Sequence, residues 1–289
     1  MGRKTNVALT VGAASVAAWA ATKVIAKQEP RAEKKALSFS EVAILTDAQL
    51  CQNTEVDPLT AYTEIADLGV HGFAVDIQLT KDEDILLVPN RELLLSNEIA
   101  DSAVDEILTK HHNAHDLDTL HSDLSSVSLR ELLEKFPHLL LVVSMNDCPT
   151  TYEGSLIPSK LWRLLKEIDA TERVVVTSQY DEQIDRFNLY AQNSVALGAG
   201  SEEIKKAYVA YTSKFGHLYR PNADLFCLPE KLGMFPLASE GFVRFLQDLN
   251  ITVFYALNET DELPKIAKLD ADGFITSYPK QLLTFFNEN

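Results

Sequence analysis

Gly69–Asn90 reads GVHGFAVDIQLTKDEDILLVPN. It holds two apolar runs, Gly72–Leu79 and Ile85–Val88, around the polar residues Lys81–Asp84. Each run has strand length, and four polar residues between them suit a hairpin as well as a longer connection. Outward from this stretch the pattern repeats. Further strand candidates are Val42–Thr46, Leu139–Ser144, Arg173–Thr177, Ser194–Gly198, Leu225–Leu228, Thr252–Leu257 and Gly273–Thr276. Amphipathic helical segments lie between them: Leu59–Leu68, Leu129–Lys135, Leu161–Ile168, Asp181–Ala191, Glu202–Phe215, Gly241–Leu249 and Leu263–Leu269. Strands separated by helices of this length imply βαβ units and a parallel sheet. The expected fold is α/β, a TIM-type (β/α)8 barrel over residues 40–289. Nine candidates exceed the eight that a barrel needs, so one run beside Lys81–Asp84 is expected outside it. No glycine-rich phosphate loop follows the first strand, which argues against a doubly wound open sheet.

The 289 residues are 46% hydrophobic and 24% charged, an ordinary globular composition. The net charge is −16 and unevenly spread. Residues 1–35 carry seven basic side chains against Glu29 and Glu33, leaving 19 basic and 40 acidic residues in the body. Such a field repels phosphate backbones and excludes nucleic acid as a partner class. It also repels anionic headgroups unless a cation or a local basic patch intervenes. Cys51, Cys148 and Cys227 are far apart and odd in number. They show neither a disulfide framework nor zinc spacing, and read as small, partly buried hydrophobes.

Val7–Ile25 (VALTVGAASVAAWAATKVI) is apolar apart from small hydroxyls and Lys23. Residues 1–26 are therefore expected to form an uncleaved membrane anchor or a signal segment, the latter with Ala18-Trp19-Ala20 as its cleavage triplet. A transit peptide is a further alternative. The side of the membrane stays open, because the basic flanks favour a cytoplasmic barrel and a cleaved signal an exported one. Residues 27–39 read as a polar linker. Arg91–Ser128 is a largely polar insertion with His111, His112, His115 and His121. His111 and His115 have a spacing that can bind zinc on a helix, but no Glu lies between them in the H-E-x-x-H manner, so a solvated insertion is favoured.

Gly69–Asn90 resembles the most diagnostic stretch of the glycerophosphodiester phosphodiesterases, in which G-A-D-x-I-E-x-D-V-x-L-T-K-D-G leads to a strand ending in His-Asp. Asp270–Pro279 (DADGFITSYP) resembles that family's closing G-x-D-G-I-x-T-D-x-P. Phe254–Asn258 (FYALN) resembles its W-T-V-N strand, and Val174–Tyr180 sits where the family has a strand ending in Ser-Phe. The resemblance covers roughly residues 40–285. It implies a barrel in which carboxylates hold a divalent cation, usually calcium or magnesium, and two histidines act as acid and base on a glycerophosphodiester. Those groups would sit at the C-terminal strand ends.

Carried over residue by residue, the resemblance leaves most of that machinery replaced. The opening His-Arg-Gly falls on Asp47-Ala48-Gln49, and the Glu-x-Asp metal pair on Ala74-Val75-Asp76. The second His-Asp falls on Pro89-Asn90. The later metal glutamate and its lysine fall on Ser144 and Asn146, and the closing aspartate on Ser277. The expected residual metal ligands are Asp76 and Asp47, for a weakly bound Ca or Mg ion, and the expected substrate-binding residues are Asn90, Asn146 and Asn258. A bland alternative for Asp76 is a strand-end acid satisfied by backbone N–H groups. With both histidine positions lost, to Asp47 and Pro89, the expected function is that of a membrane-associated barrel of this type with lost or much reduced hydrolase activity. Its role would be binding or scaffolding, with a glycerophosphodiester or lipid headgroup as ligand. The alternative is an active phosphoric diester hydrolase of glycerophospholipid metabolism with a rearranged site.

Overall fold

The computed structural model describes residues 29–47, 57–88, 127–257 and 263–288. Val7–Ile25, the histidine-bearing insertion, Cys51, Pro89, Asn90 and Asn258 lie outside them. The strands are β1 (Ala43–Asp47), β2 (Gly72–Leu79), β3 (Ile85–Leu87), β4 (Leu140–Met145), β5 (Val174–Thr177) and β6 (Ala196–Leu197). Then come β7 (Leu225–Leu228), β8 (Lys231–Leu232), β9 (Phe235–Pro236), β10 (Thr252–Leu257) and β11 (Gly273–Thr276). The helices are α1 (Pro58–Ala66), α2 (Leu129–Lys135), α3 (Tyr152–Glu167), α4 (Asp181–Ala191), α5 (Ser201–Thr212), α6 (Glu240–Gln247), α7 (Leu263–Ile266) and α8 (Pro279–Glu288).

Eight strands pair in parallel in the order β6-β5-β4-β2-β1-β11-β10-β7. The ring closes where Gly198 bridges Leu225: Ala199 N–H donates to the Leu225 carbonyl (2.8 Å), and Asp224 N–H to that of Leu197 (2.7 Å). The architecture is thus a TIM-type barrel. The strand outside it is β3, which folds back antiparallel on β2 with Ile77 opposite Leu87. The turn needs Glu83 at φ 67°, so the polar run Lys81–Asp84 makes a hairpin. The small hairpin β8–β9, between β7 and α6, was not anticipated from the sequence.

The strands read as nearly unbroken apolar runs because both faces are covered. All six residues of β4 are buried. Alternate positions serve different layers. Ala43, Leu45, Leu140, Val142, Val175, Ala196, Leu225 and Phe254 pack together in the lumen. Their neighbours Phe73, Val75, Leu141, Val143, Val174 and Val176 pack outward with the helices. Caps fix the helix starts. Ser128 and Glu131 form a reciprocal capping box on α2, and Ser239 accepts from Phe242 N–H at the start of α6 (3.1 Å).

Two helices depart from expectation. α3 begins nine residues before the expected Leu161, because its first turns hold a glycine and a proline, which weaken the sequence signal. Tertiary contacts supply what that segment lacks. Pro158 has no N–H for the Gly154 carbonyl, and Gln183 Nε2 donates to that oxygen instead (2.8 Å). Gly154 must be glycine, since a Cβ there would lie 1.8 Å from the Cys148 carbonyl oxygen. α8, absent from the expected elements, covers β1 and β11 with buried Leu282 and with Phe286 stacked on Phe274 at 5.4 Å.

Residues 31–39, within the stretch expected as a polar linker, pack on the barrel. Ala36, Leu37 and Phe39 floor the lumen at the N-terminal strand ends, with Phe39 and Phe254 ring centroids 5.8 Å apart. Arg31 Nε donates to Asp224 Oδ1 at 2.7 Å, and its backbone bonds Leu249 and Asn250. The apolar Ala36, Leu37 and Phe39 decide this, because they have a hydrophobic floor to cover.

Asp272, beside that floor, accepts from Val253 N–H (2.8 Å). Burial raises its carboxyl above the usual aspartate range, outweighing this hydrogen bond. A raised native pKa means that the folded state holds the proton more tightly than the unfolded state. This group's contribution to stability therefore grows as pH falls through the native pKa and fades as pH rises above it. Asp272→Asn, which keeps an acceptor for Val253, is expected to remove that dependence. Relative to the variant, the unmodified chain should lose stability between acidic and neutral pH in denaturant titrations. An identical pH profile for the two proteins would contradict it.

Candidate functional site

In a parallel barrel the lumen positions nearest the C-terminal strand ends form the mouth, where the βα loops converge. Alternation from the lumen layer places Asp47, Ala74, Asp76, Ser144, Asn146, Thr177, Gly198 and Cys227 on that inner face. Strand register brings several of the expected residues together. Asp47 lies opposite Ala74, Asp76 opposite Ser144, and Ser144 opposite Thr177. Asp47 and Asp76 are thus on adjacent strands and two residues apart along them, a Cα separation of roughly 8 Å from strand geometry. The aspartates and Ser144 therefore share one mouth, as the sequence register required. Expected partners Pro89, Asn90 and Asn258 fall outside the described residues.

Asn146 continues the β2–β4 ladder, its N–H donating to the Ile77 carbonyl (3.2 Å). Its Oδ1 accepts from Ser144 Oγ at 3.4 Å, and both side chains are buried. Its Nδ2 is buried without a partner. Turning the amide over would only exchange which end goes unmatched. A buried, unmatched amide N–H typically costs about 1–3 kcal/mol, and a ligand oxygen would recover this.

Other residues that brace the mouth were not found from the sequence. Asp147 Oδ2 accepts from Leu79 N–H (3.0 Å), tying the β4–α3 loop to the end of β2. Gln183, wholly buried, donates to the carbonyls of Asp147 (2.9 Å) and Gly154. Ser178 Oγ donates to the Met145 carbonyl (2.7 Å) and accepts from Tyr180 N–H. Their only sequence signal is a polar residue type inside an otherwise apolar neighbourhood, which does not say what it will bond. Gly198 stays open because a Cβ there would lie 2.6 Å from that of Thr177. Burial pushes the Cys227 thiol up to about 12, so it is an inert thiol in the lumen wall, in line with the reading from sequence.

The described histidines are His71, His138 and His217. They immediately precede β2 and β4 or lie in the α5–β7 connection, all at the floor end. His71 is engaged there, its Nδ1 accepting from Ile44 N–H (3.1 Å). None can reach a ligand at the mouth. Hard cations take six or more oxygen ligands, several of them anionic. Among the described residues no three His, Cys, Asp or Glu side chains group into a set able to hold a metal ion. Among the described residues, two aspartates with a serine and an amide fall short of the ligand set that calcium or magnesium takes, and no reaction step is assigned to one.

A lateral cleft of about 280 Å³ lies between α4 and α5. Much of its charge is engaged within the fold. Arg31 meets Asp224, Asp181 accepts from the first N–H groups of α5, and Glu203 accepts from Tyr219 Oη (2.6 Å). The mouth, with its unmatched amide, remains the candidate site.

No family-level sequence model matches the chain. It is 23% identical over 235 residues to the uncharacterized protein YqiK of Bacillus subtilis (strain 168), covering 77% of this chain and 89% of that protein. Solved structures carry the fold comparison further. The glycerophosphoryl diester phosphodiesterase domain of an uncharacterized Mycobacterium tuberculosis protein superposes with a TM-score of 0.60 at 13% identity, over 85% of this chain and 99% of that one. A putative glycerophosphoryl diester phosphodiesterase from Silicibacter pomeroyi DSS-3 gives 0.58 at 15%, over 85% and 93%. The glycerophosphodiester phosphodiesterase of Thermotoga maritima gives 0.55 at 16%, over 86% and 100%. The fold is the barrel of these phosphodiesterases.

Proposed function

We propose that this glycerophosphodiester phosphodiesterase-like barrel binds the headgroup of a glycerophosphodiester at its mouth, with hydrolysis lost or much reduced, while residues 7–25 hold it at a membrane. The observation that carries the reading is the unmatched Asn146 amide beside Ser144 and the two mouth aspartates. An amide can donate to a phosphate or glycerol oxygen without supplying a proton for the leaving group. Asp47, Asp76 and the net charge of −16 disfavour a purely anionic ligand and suit one that also carries a cationic group. The ligand class is therefore a zwitterionic glycerophosphodiester, with choline or ethanolamine as its alcohol. The pair Asp47 and Asp76 also favours a second reading, an active hydrolase with a rearranged site.

Calorimetric titration of the full chain tests this. Glycerophosphocholine is expected to bind at least about tenfold more tightly than glycerophosphoinositol, a difference of ~1.4 kcal/mol. Asn146→Leu is expected to weaken binding about tenfold while changing thermal stability little, since loss of the unmatched Nδ2 offsets the loss of the long Ser144 hydrogen bond. Unchanged binding in the variant, or loss of stability without loss of affinity, would make the amide structural and end the proposal.

A further inference from the structure

We infer that the floor of the barrel on its α4–α5 side is a bilayer-facing surface, with the mouth turned away into water. This rests on the anchoring by residues 7–25 proposed above. The first observation is where the chain emerges. Arg31 is fixed at the floor by Asp224, Leu249 and Asn250, and Lys34 reaches the Asn193 carbonyl below α4. Five residues lie between Ile25 and Arg31, and the six steps from one to the other span at most roughly 20 Å. A barrel held by that segment keeps its floor close to the bilayer, and its mouth lies a strand length further out.

The second observation is independent of the anchor. Leu189 (75% exposed) and Tyr190 end α4, and Phe215 and Leu218 lie exposed in the connection after α5. Helix C-termini and αβ connections belong to the floor end of a barrel. The exposed side chains of Lys35, Lys214 and Arg220 come from the same end, Lys35 paired there with Glu172. Exposed Leu, Phe and Tyr with interspersed Lys and Arg is the composition of surfaces that settle at the headgroup boundary, the aromatic and aliphatic groups in the interface and the cations on phosphates. The site at the mouth is therefore supplied from the aqueous phase, which suits a deacylated glycerophosphodiester rather than an intact lipid of the same bilayer.

The test uses the full chain in phosphatidylcholine vesicles containing a minority of phosphatidylserine. Single labelled cysteines are placed at the floor (Leu189→Cys, Leu218→Cys) and at the mouth end (Met234→Cys, Tyr152→Cys), with Cys51→Ser, Cys148→Ser and Cys227→Ala as background. These sites are exposed, Met234 by 88%. Spin-labelled lipids are expected to quench the floor positions several-fold more than the mouth positions. Hydrogen exchange of the unmodified chain gives the same reading without substitutions: vesicles should protect residues 186–192 and 213–220 relative to detergent. Equal or reversed quenching, or no such protection, in protein that floats with the vesicles overturns the inference. Protein that does not float removes the anchor and overturns it too. Headgroup binding at the mouth, measured separately by calorimetry, does not depend on either result.

Discussion

The purified 289-residue chain is expected to hydrolyse glycerophosphocholine at least about 10⁴-fold more slowly than an active barrel of the same fold, whether calcium, magnesium or manganese is supplied. Two separate terms set this magnitude. A positioned acid or base contributes ~10²–10⁴ in rate, and the positions that the resemblance pairs with the two family histidines hold Asp47 and Pro89. Proline has no side-chain proton to give. Metal assistance is the other term, and the positions that the resemblance pairs with its carboxylates hold Ala74 and Ser144, on the lumen faces of β2 and β4. Asp47→His, Ala74→Glu, Pro89→His and Ser144→Glu together are expected to raise the rate by about 10²-fold or more, while each alone does little. Groups that act as a unit are not additive, because a base without its metal, or a metal without its base, recovers almost none of the barrier. Register supports the combination, since residues 74, 76 and 144 share the lumen face of neighbouring strands. Metal-dependent turnover by the unmodified chain, abolished by Asp76→Ala, would replace this account with the rearranged-hydrolase reading.

Deleting residues 1–28 is expected to leave thermal stability nearly unchanged, whereas deleting residues 1–39 should lower it sharply. Phe39, Leu37 and Ala36 cover lumen residues that would otherwise meet water, and Arg31 pairs with Asp224, which is 2% exposed. Asp224 keeps the Leu197 N–H at its other oxygen (3.0 Å), but without Arg31 it is a buried charge lacking its counter-ion. Removing one partner of such a pair costs ~3–5 kcal/mol. Arg31→Ala alone, taken at the lower bound, should therefore reduce Tm by about 6–12 °C in a domain of this size. Truncating to residue 40 adds the exposure of the apolar floor. Equal melting temperatures for the two truncations would mean that residues 29–39 merely lie on the barrel.

The sequence by itself determined the alternation of strands and helices, because burial on both faces writes continuous apolar runs such as Leu140–Met145 into the chain. It also fixed side-chain identity at the positions that the resemblance pairs with a histidine and a carboxylate: the side chains of Pro89 and Ala74 carry neither a titratable proton nor a ligand oxygen. Only the tertiary structure decided which run beside Lys81–Asp84 leaves the barrel, that β6 and β7 close it, and that Arg31–Phe39 belong to its floor. It alone showed that α3 can start through Gly154 and Pro158, since the missing helical donor comes from Gln183, a residue distant in sequence. The unmatched Asn146 amide and the placement of His71, His138 and His217 at the floor were likewise invisible beforehand. An apolar pattern records that a residue is covered. What covers it, and which polar group is left without a partner, depends on segments brought together from far along the chain.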